Sequence, residues 1–309
     1  MLANYPNHID EKVKASFNQY STEAMENSSI NLIFNVGDSN DYSKGYTTIE
    51  GGTGVDYFGD AENLADVDIA EGHQAVGLSK EFGWKITVTK KEMLNERDET
   101  TLFNTIVENK IPVLMSDINN FVELEAMKLL NNGFTTALAP DGVEIFGTHT
   151  YQSTSATFTN RHATNIVAGE GALTALESYA GAFTDANGKP VPFSPTTLIV
   201  KKGSSASRSF RQVLAGDNKL QAATIGNVNI YNNGTYTLIE TPFLTSDTAW
   251  FAFDPRKDNA LIVDFIQRPA LEERQTRENL TQVTPATGSF RYGSYLLPTT
   301  WYGSDGSGS

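Results

Sequence analysis

Few residues in this chain have the type and spacing that chemistry requires. There are four histidines, His8, His73, His149 and His162, and no cysteine. No two histidines form a His-Glu-x-x-His pair, and His149 and His162, the nearest two, stand 13 positions apart. Metal chemistry uses tighter spacings, so all four read as structural or surface histidines. Without cysteine there is no disulfide framework, thiolate zinc site, iron–sulfur cluster or thiol nucleophile. Neither a Gly-x-Ser-x-Gly elbow nor a Ser-x-x-Lys dyad occurs. Gly51-Gly52-Thr53-Gly54 lacks the Gly-Lys-Ser/Thr of a phosphate loop.

Three patterns remain. Gly203-Ser204-Ser205 follows Lys201-Lys202 and would suit an anion at a helix N-terminus. The preferred reading is a capped helix beside a solvated lysine pair. Asp60, Glu62, Asp66, Asp68 and Glu71 form an acidic loop with no basic residue among them. Neither this loop nor Asp38-x-Asn40-x-Tyr42 has the alternating ligands, central glycine and final glutamate of a calcium loop. The 60–71 loop therefore reads as solvated or partner-facing, with cation binding left open. The mixed-sign run Glu272-Glu273-Arg274-Gln275-Thr276-Arg277-Glu278 reads as an exposed ion-pairing segment. No catalytic, cofactor-binding or metal-ligating residue is assigned, no cofactor is expected, and the chain is expected not to be an enzyme.

The elements around these residues suggest a mixed architecture. Residues 1–45 are polar apart from Ile30-Asn31-Leu32-Ile33-Phe34, as in an arm that must lie against something else. Residues 46–90 read as a long antiparallel excursion, with strand-type residues at Tyr46–Ile49 and Trp84–Thr89. Residues 98–132 carry the strongest helical spacing, with Pro112 expected to kink or divide the helix and Gly133 to stop it. Helices are expected over 168–183 and 204–214, the latter capped by Ser204 or Ser205. Strands are expected over 143–146, 197–200, 236–240, 249–253, 260–265 and 290–295, and residues 303–309 should be a flexible tail. The fold class is α+β. Trp84, Trp250 and Trp301 are expected in core or interface packing.

Composition narrows the partners. The chain has 309 residues and a formal net charge of −14, of which −10 falls in residues 1–110. An acidic excess argues against a protein that wraps nucleic acid by neutralising phosphates. No apolar run is long enough to span a bilayer, and the N-terminus lacks the apolar core of a signal peptide.

Several phrases occur in a telling order. Phe82-Gly83-Trp84-Lys85-Ile86-Thr87-Val88-Thr89-Lys90 runs into a helix ending at Leu129-Leu130-Asn131-Asn132-Gly133-Phe134. Pro140-Asp141-Gly142-Val143-Glu144-Ile145-Phe146-Gly147-Thr148-His149 then precedes Phe158-Thr159-Asn160. Asp185-Ala186-Asn187-Gly188-Lys189-Pro190 and Pro195–Val200 follow, then Ala249–Pro255, Gln267–Leu271 and Phe290-Arg291-Tyr292-Gly293. Over about residues 45–303 this series resembles the major capsid proteins of tailed bacteriophages, in particular the major head subunit of Mu-like phages.

The resemblance implies a Hong Kong phage type capsid fold. Its parts would be an N-terminal arm at 1–45, an extended β-hairpin at 46–90 and a peripheral domain with a long spine helix at 91–136. An axial domain at 137–245, peripheral return strands at 246–303 and a tail at 304–309 would complete it. It also implies assembly into hexamers and pentamers of an icosahedral shell around double-stranded DNA, without sequence-specific binding. The implied partners are a scaffolding protein, a maturation protease, a portal and decoration proteins. The implied location is the virion, after assembly in the host cytoplasm, with no membrane. No fused scaffolding extension is read at the N-terminus. Lys44 and Lys80 border the hairpin, but no asparagine and acid are assigned to them for a crosslink. An encapsulin-like nanocompartment shell is the alternative of the same fold, and a hydrolase or metal-dependent enzyme is the alternative of another class.

Overall fold

The computed structural model describes residues 14–19, 21, 28–52, 69–89, 109–215, 230–232, 234–256, 259–273, 275–276 and 282–308. The chain divides into two compact units built from interleaved segments. The first takes Met1–Lys44, Gly77–Ala126 and Ile262–Tyr292; the second takes Gly45–Val76, Met127–Leu261 and Gly293–Ser309.

In the first unit, the alternation of Phe82, Trp84, Ile86 and Val88 with Glu81, Lys85 and Thr87 dictates a strand with one apolar face. The strand β4 spans Lys80–Val88. It pairs antiparallel with β12 (Gln282–Ser294), running from Gln282 opposite Val88 to Phe290 opposite Lys80. On the other side of β12 lies β10 (Leu261–Leu271), with the short β11 (Gln275–Thr276) also paired to β12. The sheet is completed by β1 (Asn35–Asp38), which lies parallel to β10 with Asn35 opposite Ile262. Ahead of β1, the one-turn helix α1 (Ile30–Ile33) buries Ile30 and Ile33, and Phe34 follows them into the core.

The helix α2 spans Ile111–Asn131. Ile111, Met115, Ile118, Val122, Ala126 and Leu129 recur every three or four residues and form its buried stripe. In the first unit its Phe121 ring lies 5.6 Å from Phe82 and 6.4 Å from Phe290, which fixes the helix on the aromatic face of the sheet. Pro112 is the second residue of α2, and residues 109–110 just before it form a wider π-type turn, so the helical path changes its hydrogen-bonding pattern next to the residue that lacks an N–H. Residues 98–108 of the expected helix lie outside the described residues. Gly133 ends the helical stretch by close approach: a Cβ there would stand 2.8 Å from the Phe146 ring.

The second unit is built on a four-stranded sheet in the order β13-β9-β7-β8. These are Trp301–Ser304, Trp250–Phe253, Thr197–Lys201 and Thr237–Thr241. The β7–β8 pair is parallel and the other two are antiparallel. Helices α3 (Glu170–Ala182) and α4 (Ser205–Ala215) supply Leu173, Leu176 and Phe210 to a core with Leu198, Val200 and Trp250. Buried Trp250 donates its indole N–H to Ile166 O at 2.9 Å, and Trp301 donates to Asn259 at 2.8 Å, so neither leaves a polar atom stranded. The unit also holds the β5–β6 hairpin (Thr148–Thr150 with Thr157–Thr159). The ribbon of β2 (Ser43–Gly52) and β3 (Ile69–Leu78) pairs separately, as a two-stranded sheet.

Several expectations change. The partner of the 46–49 strand is Ile69–Leu78, while Trp84–Val88 belongs to the sheet with β12. Residues 143–146 make only an isolated bridge, Glu144 to Leu138, and the strand forms at Thr148–Thr150. The stretch written as 246–303 is shared out. Its ends, at β9 and β13, join the 197–201 strand, and only Ile262–Tyr292 belongs to the first unit.

Residues 304–308 are not a free tail. Ser304 is fully buried, Asp305 pairs with Arg161 at 2.8 Å, and Gly308 N donates to Asn165 O at 2.9 Å. The arm is likewise no loose start where described, because β1 is a strand of the first unit.

Candidate functional site

The base of the β2–β3 ribbon carries a buried polar site in the second unit. Strand alternation sends Thr48 and Glu50 inward and Ile49 outward. Glu50 is 3% exposed, yet its carboxylate is satisfied: it accepts the backbone N–H of Gln152 at 3.0 Å and of Ser153 at 2.8 Å. These donors lie in the turn of the β5–β6 hairpin, so one side chain clips the ribbon to its neighbour. Burial pushes the Glu50 carboxyl up, but the Ser153 and Gln152 N–H groups and nearby His73 outweigh it and hold it below the ordinary range.

Neighbouring residues fit the clip. Gly72 leaves room for it, since a Cβ there would stand 2.0 Å from a Glu50 oxygen. His73 Nε2 lies 2.9 Å from Thr150 O, Thr48 Oγ1 accepts from Leu297 N at 3.3 Å, and Tyr46 stacks on Tyr295 at 4.6 Å. Outward, the same ribbon carries exposed Ile49, Ile69, Val76 and Leu78. A ribbon clipped on one face and apolar on the other is suited to lie against another surface.

The histidines and acids singled out in the sequence have ordinary partners. Buried His149 sits with Nδ1 2.9 Å from Asp141 Oδ2 and Nε2 3.1 Å from Ile145 O. Burial pushes Asp141 up, but its bond to His149 and the N–H groups of Val143 and Thr150 pull it below the usual range. Asn160 closes the same turn, donating to Ile145 O at 2.8 Å and accepting from Gly147 N at 2.9 Å. This cluster pins a turn. His162 contacts Thr164, and burial lowers its pKa.

The 201–205 anion pattern is met by the chain itself. Ser204 Oγ accepts from Ser207 N at 3.0 Å, the Ala206 N–H is taken by Asp247 O, and Lys201 pairs with Asp247 at 2.8 Å. Asp38 is held by Arg268 in a two-pronged ion pair at 2.9 and 3.0 Å. Glu272 accepts from Thr287 Oγ1 at 2.6 Å. His8, Asp60, Glu62, Asp66, Asp68, Arg274, Arg277 and Glu278 lie outside the described residues. Among the described residues no three His, Cys, Asp or Glu side chains converge as for a metal ion, and no helix is long and apolar enough to cross a membrane.

Glu50 is the residue that sequence reading missed. Its signal was phase: in Tyr46-Thr47-Thr48-Ile49-Glu50 the acid shares the inward face with Tyr46 and Thr48, which is unusual unless a partner waits there.

No family model matches the sequence, and no curated protein matches it either. Solved structures do. A chain from the capsid of the cyanophage P-SCSP1u aligns with a TM-score of 0.50 at 12% identity, covering 87% of this chain and 85% of that one. The fold is that of a phage capsid chain. Chains from Microbacterium phage Oxtober96 and from the capsid asymmetric unit of cyanophage Pam1 align with TM-scores of 0.49 at 10% identity. Each of those alignments covers 89% of this chain, and they cover 90% and 89% of the respective neighbours. With so little sequence in common, what the capsid chain shares with this one is architecture.

Proposed function

We propose that this chain is the major capsid subunit of a tailed double-stranded DNA phage or prophage, of the Mu-like head type. It assembles into hexamers and pentamers of an icosahedral shell. The observation that carries this reading is the end-to-end likeness of fold to the P-SCSP1u capsid chain, over most of both chains. The first unit would be the peripheral domain with α2 as its spine helix. The second would be the axial domain; the β2–β3 ribbon would be the extended hairpin, and residues 1–45 the arm. The ribbon supports this reading: it is clipped at Glu50 and presents Ile49, Ile69 and Val76 outward, an apolar edge that a neighbouring subunit would cover.

In this role the protein acts by interfaces and is not an enzyme. Its partners are further copies of itself, a scaffolding protein, a maturation protease, a portal and decoration proteins. Its place is the virion, after assembly in the host cytoplasm. The acidic balance suits a container, since a negative wall does not hold DNA that must be spooled inside.

Electron microscopy of the purified full-length protein tests the reading. Icosahedral particles with six- and five-fold capsomers are expected, and the double variant Ile49→Asp, Val76→Asp should abolish them while leaving a folded subunit by circular dichroism. Shells that enclose a cargo protein and no DNA in the host would replace the phage reading with a nanocompartment. A monomer at all concentrations would overturn both.

A further inference from the structure

The sheet of the first unit has a second face, opposite the one that Phe82, Trp84 and Phe290 fill. Ser289 stands directly across from Glu81, and Thr287 across from Gly83, so all four share that face. Together with Tyr42 and Gln267 they line a half-open cleft of about 400 Å³. Gly83 makes the room, because it places no side chain beside Thr287.

The formal charge in the lining is negative, carried by Glu81. Thr287 Oγ1 takes a hydrogen from Gln267 Nε2 at 3.2 Å and donates to the Glu272 carboxylate at 2.6 Å, which ties that acid to a lining residue from outside the lining. Glu81 is the one carboxylate of the lining, and no lysine or arginine is among the described lining residues. Ser289 is 2% exposed, and its hydroxyl has no hydrogen-bond partner among the described residues. A buried hydroxyl without a partner costs stability, and this one lies on the strand face that backs the cleft, where a small side-chain rotation would bring it to a ligand. The Tyr42 ring at the edge offers a π-face to a cation.

We propose that this cleft binds an organic cation, a guanidinium or primary ammonium group on an alkyl stem. The Glu81 carboxylate neutralises the charge, with Glu272 behind Thr287 adding to the negative field, Tyr42 covers the stem or head, and Ser289 gives the buried end a hydrogen-bond partner. The volume lies at the small end of the roughly 300–1,000 Å³ of ligand clefts. It is too roomy for a bare metal ion, whose oxygen ligands close to about 2.0–2.6 Å. The cation can come from a free small molecule or from an Arg or Lys side chain of a second copy. The site does not depend on the capsid reading.

The test titrates the dilute full-length chain with argininamide at low salt by calorimetry, with neutral citrullinamide as the matched control. Saturable binding of argininamide alone is expected. Glu81→Gln should weaken it by roughly ten-fold, the size of a lost charge-assisted bond. Ser289→Ala should weaken it less, with unchanged circular dichroism in both variants. No saturable binding, equal binding of citrullinamide, or an unchanged affinity in Glu81→Gln would overturn the proposal.

Sedimentation separates the sources. If argininamide disperses self-associated protein and Glu81→Gln mimics it, the cation belongs to a second copy. If self-association is indifferent while Glu81-dependent binding persists, the ligand is a free cation.

Discussion

Replacing Glu50 by Gln keeps the shape of the ribbon clip and removes its charge. In the wild type two backbone N–H groups, of Gln152 and Ser153, meet the two carboxylate oxygens at 3.0 and 2.8 Å. A carboxamide offers one oxygen and one NH2, so one N–H loses its acceptor and faces a donor. Hydrogen bonds to a charged group are worth about 1.5–3 kcal/mol, and a stranded buried donor costs about 1–3 kcal/mol, so a local loss of about 2 kcal/mol is expected. At about 1.4 kcal/mol per factor of ten, that is roughly a 30-fold faster hydrogen exchange at the Gln152 and Ser153 amides.

The pH dependence has a definite sign. The folded Glu50 carboxyl is held below its ordinary range, so its contribution is complete above the unfolded value and fades as pH falls through the folded one. The gap between wild type and Glu50→Gln should therefore be widest near neutral pH and shrink in acid. Exchange followed by mass spectrometry over 148–159 is the assay. Exchange within two-fold of wild type near neutral pH, or a gap that grows in acid, would refute the clip.

Glu123→Ala removes the acceptor of Ser28 Oγ (2.7 Å), Ser29 N (3.1 Å) and Ser29 Oγ (2.5 Å) at the start of α1. A loss of about 2–3 kcal/mol is expected locally, read as faster exchange at the Ser29 and Ile30 amides. Gly306→Ala should lower the thermal midpoint, because φ is +64° and the new Cβ would stand 2.1 Å from Thr248 O; an unchanged midpoint would restore the free tail. Arg268→Ala, by contrast, breaks an ion pair whose partners are each about half exposed or more, and should cost less than about 1 kcal/mol in chemical denaturation.

Much of the fold was legible where period and burial agree. Phe82, Trp84, Ile86 and Val88 alternate without interruption, and the α2 stripe keeps its three-and-four spacing from Ile111 to Leu129. Ile69–Leu78 was missed as a ribbon strand because Gly72 and Gly77 and the acid Glu71 dilute its alternation. Glycine there is a packing requirement, set by a side chain on another strand, and local sequence does not reveal it. The tail misled for the same reason. Its Gly-Ser composition is that of a linker, but Arg161, Asn165 and Thr248, remote in sequence, tie it down. The cleft beside Ser289 was illegible altogether, since it exists only once β4 and β12 are in register.

The parallel pairing of Asn35–Asp38 with β10 sets an order of events in synthesis. The arm strand leaves the ribosome early, but its partner Ile262–Phe265 follows about 230 residues later, roughly 10–45 s at bacterial elongation rates. Until then the first unit has neither its central strands nor a mate for β1, while β7, β8 and β9 of the second unit are already made. Long-range parallel pairing is slow in any case. Both units are therefore expected to close only as translation ends, since β13 (Trp301–Ser304) of the second sheet follows β12 of the first, and copies of the chain would meet each other with both sheets only just formed.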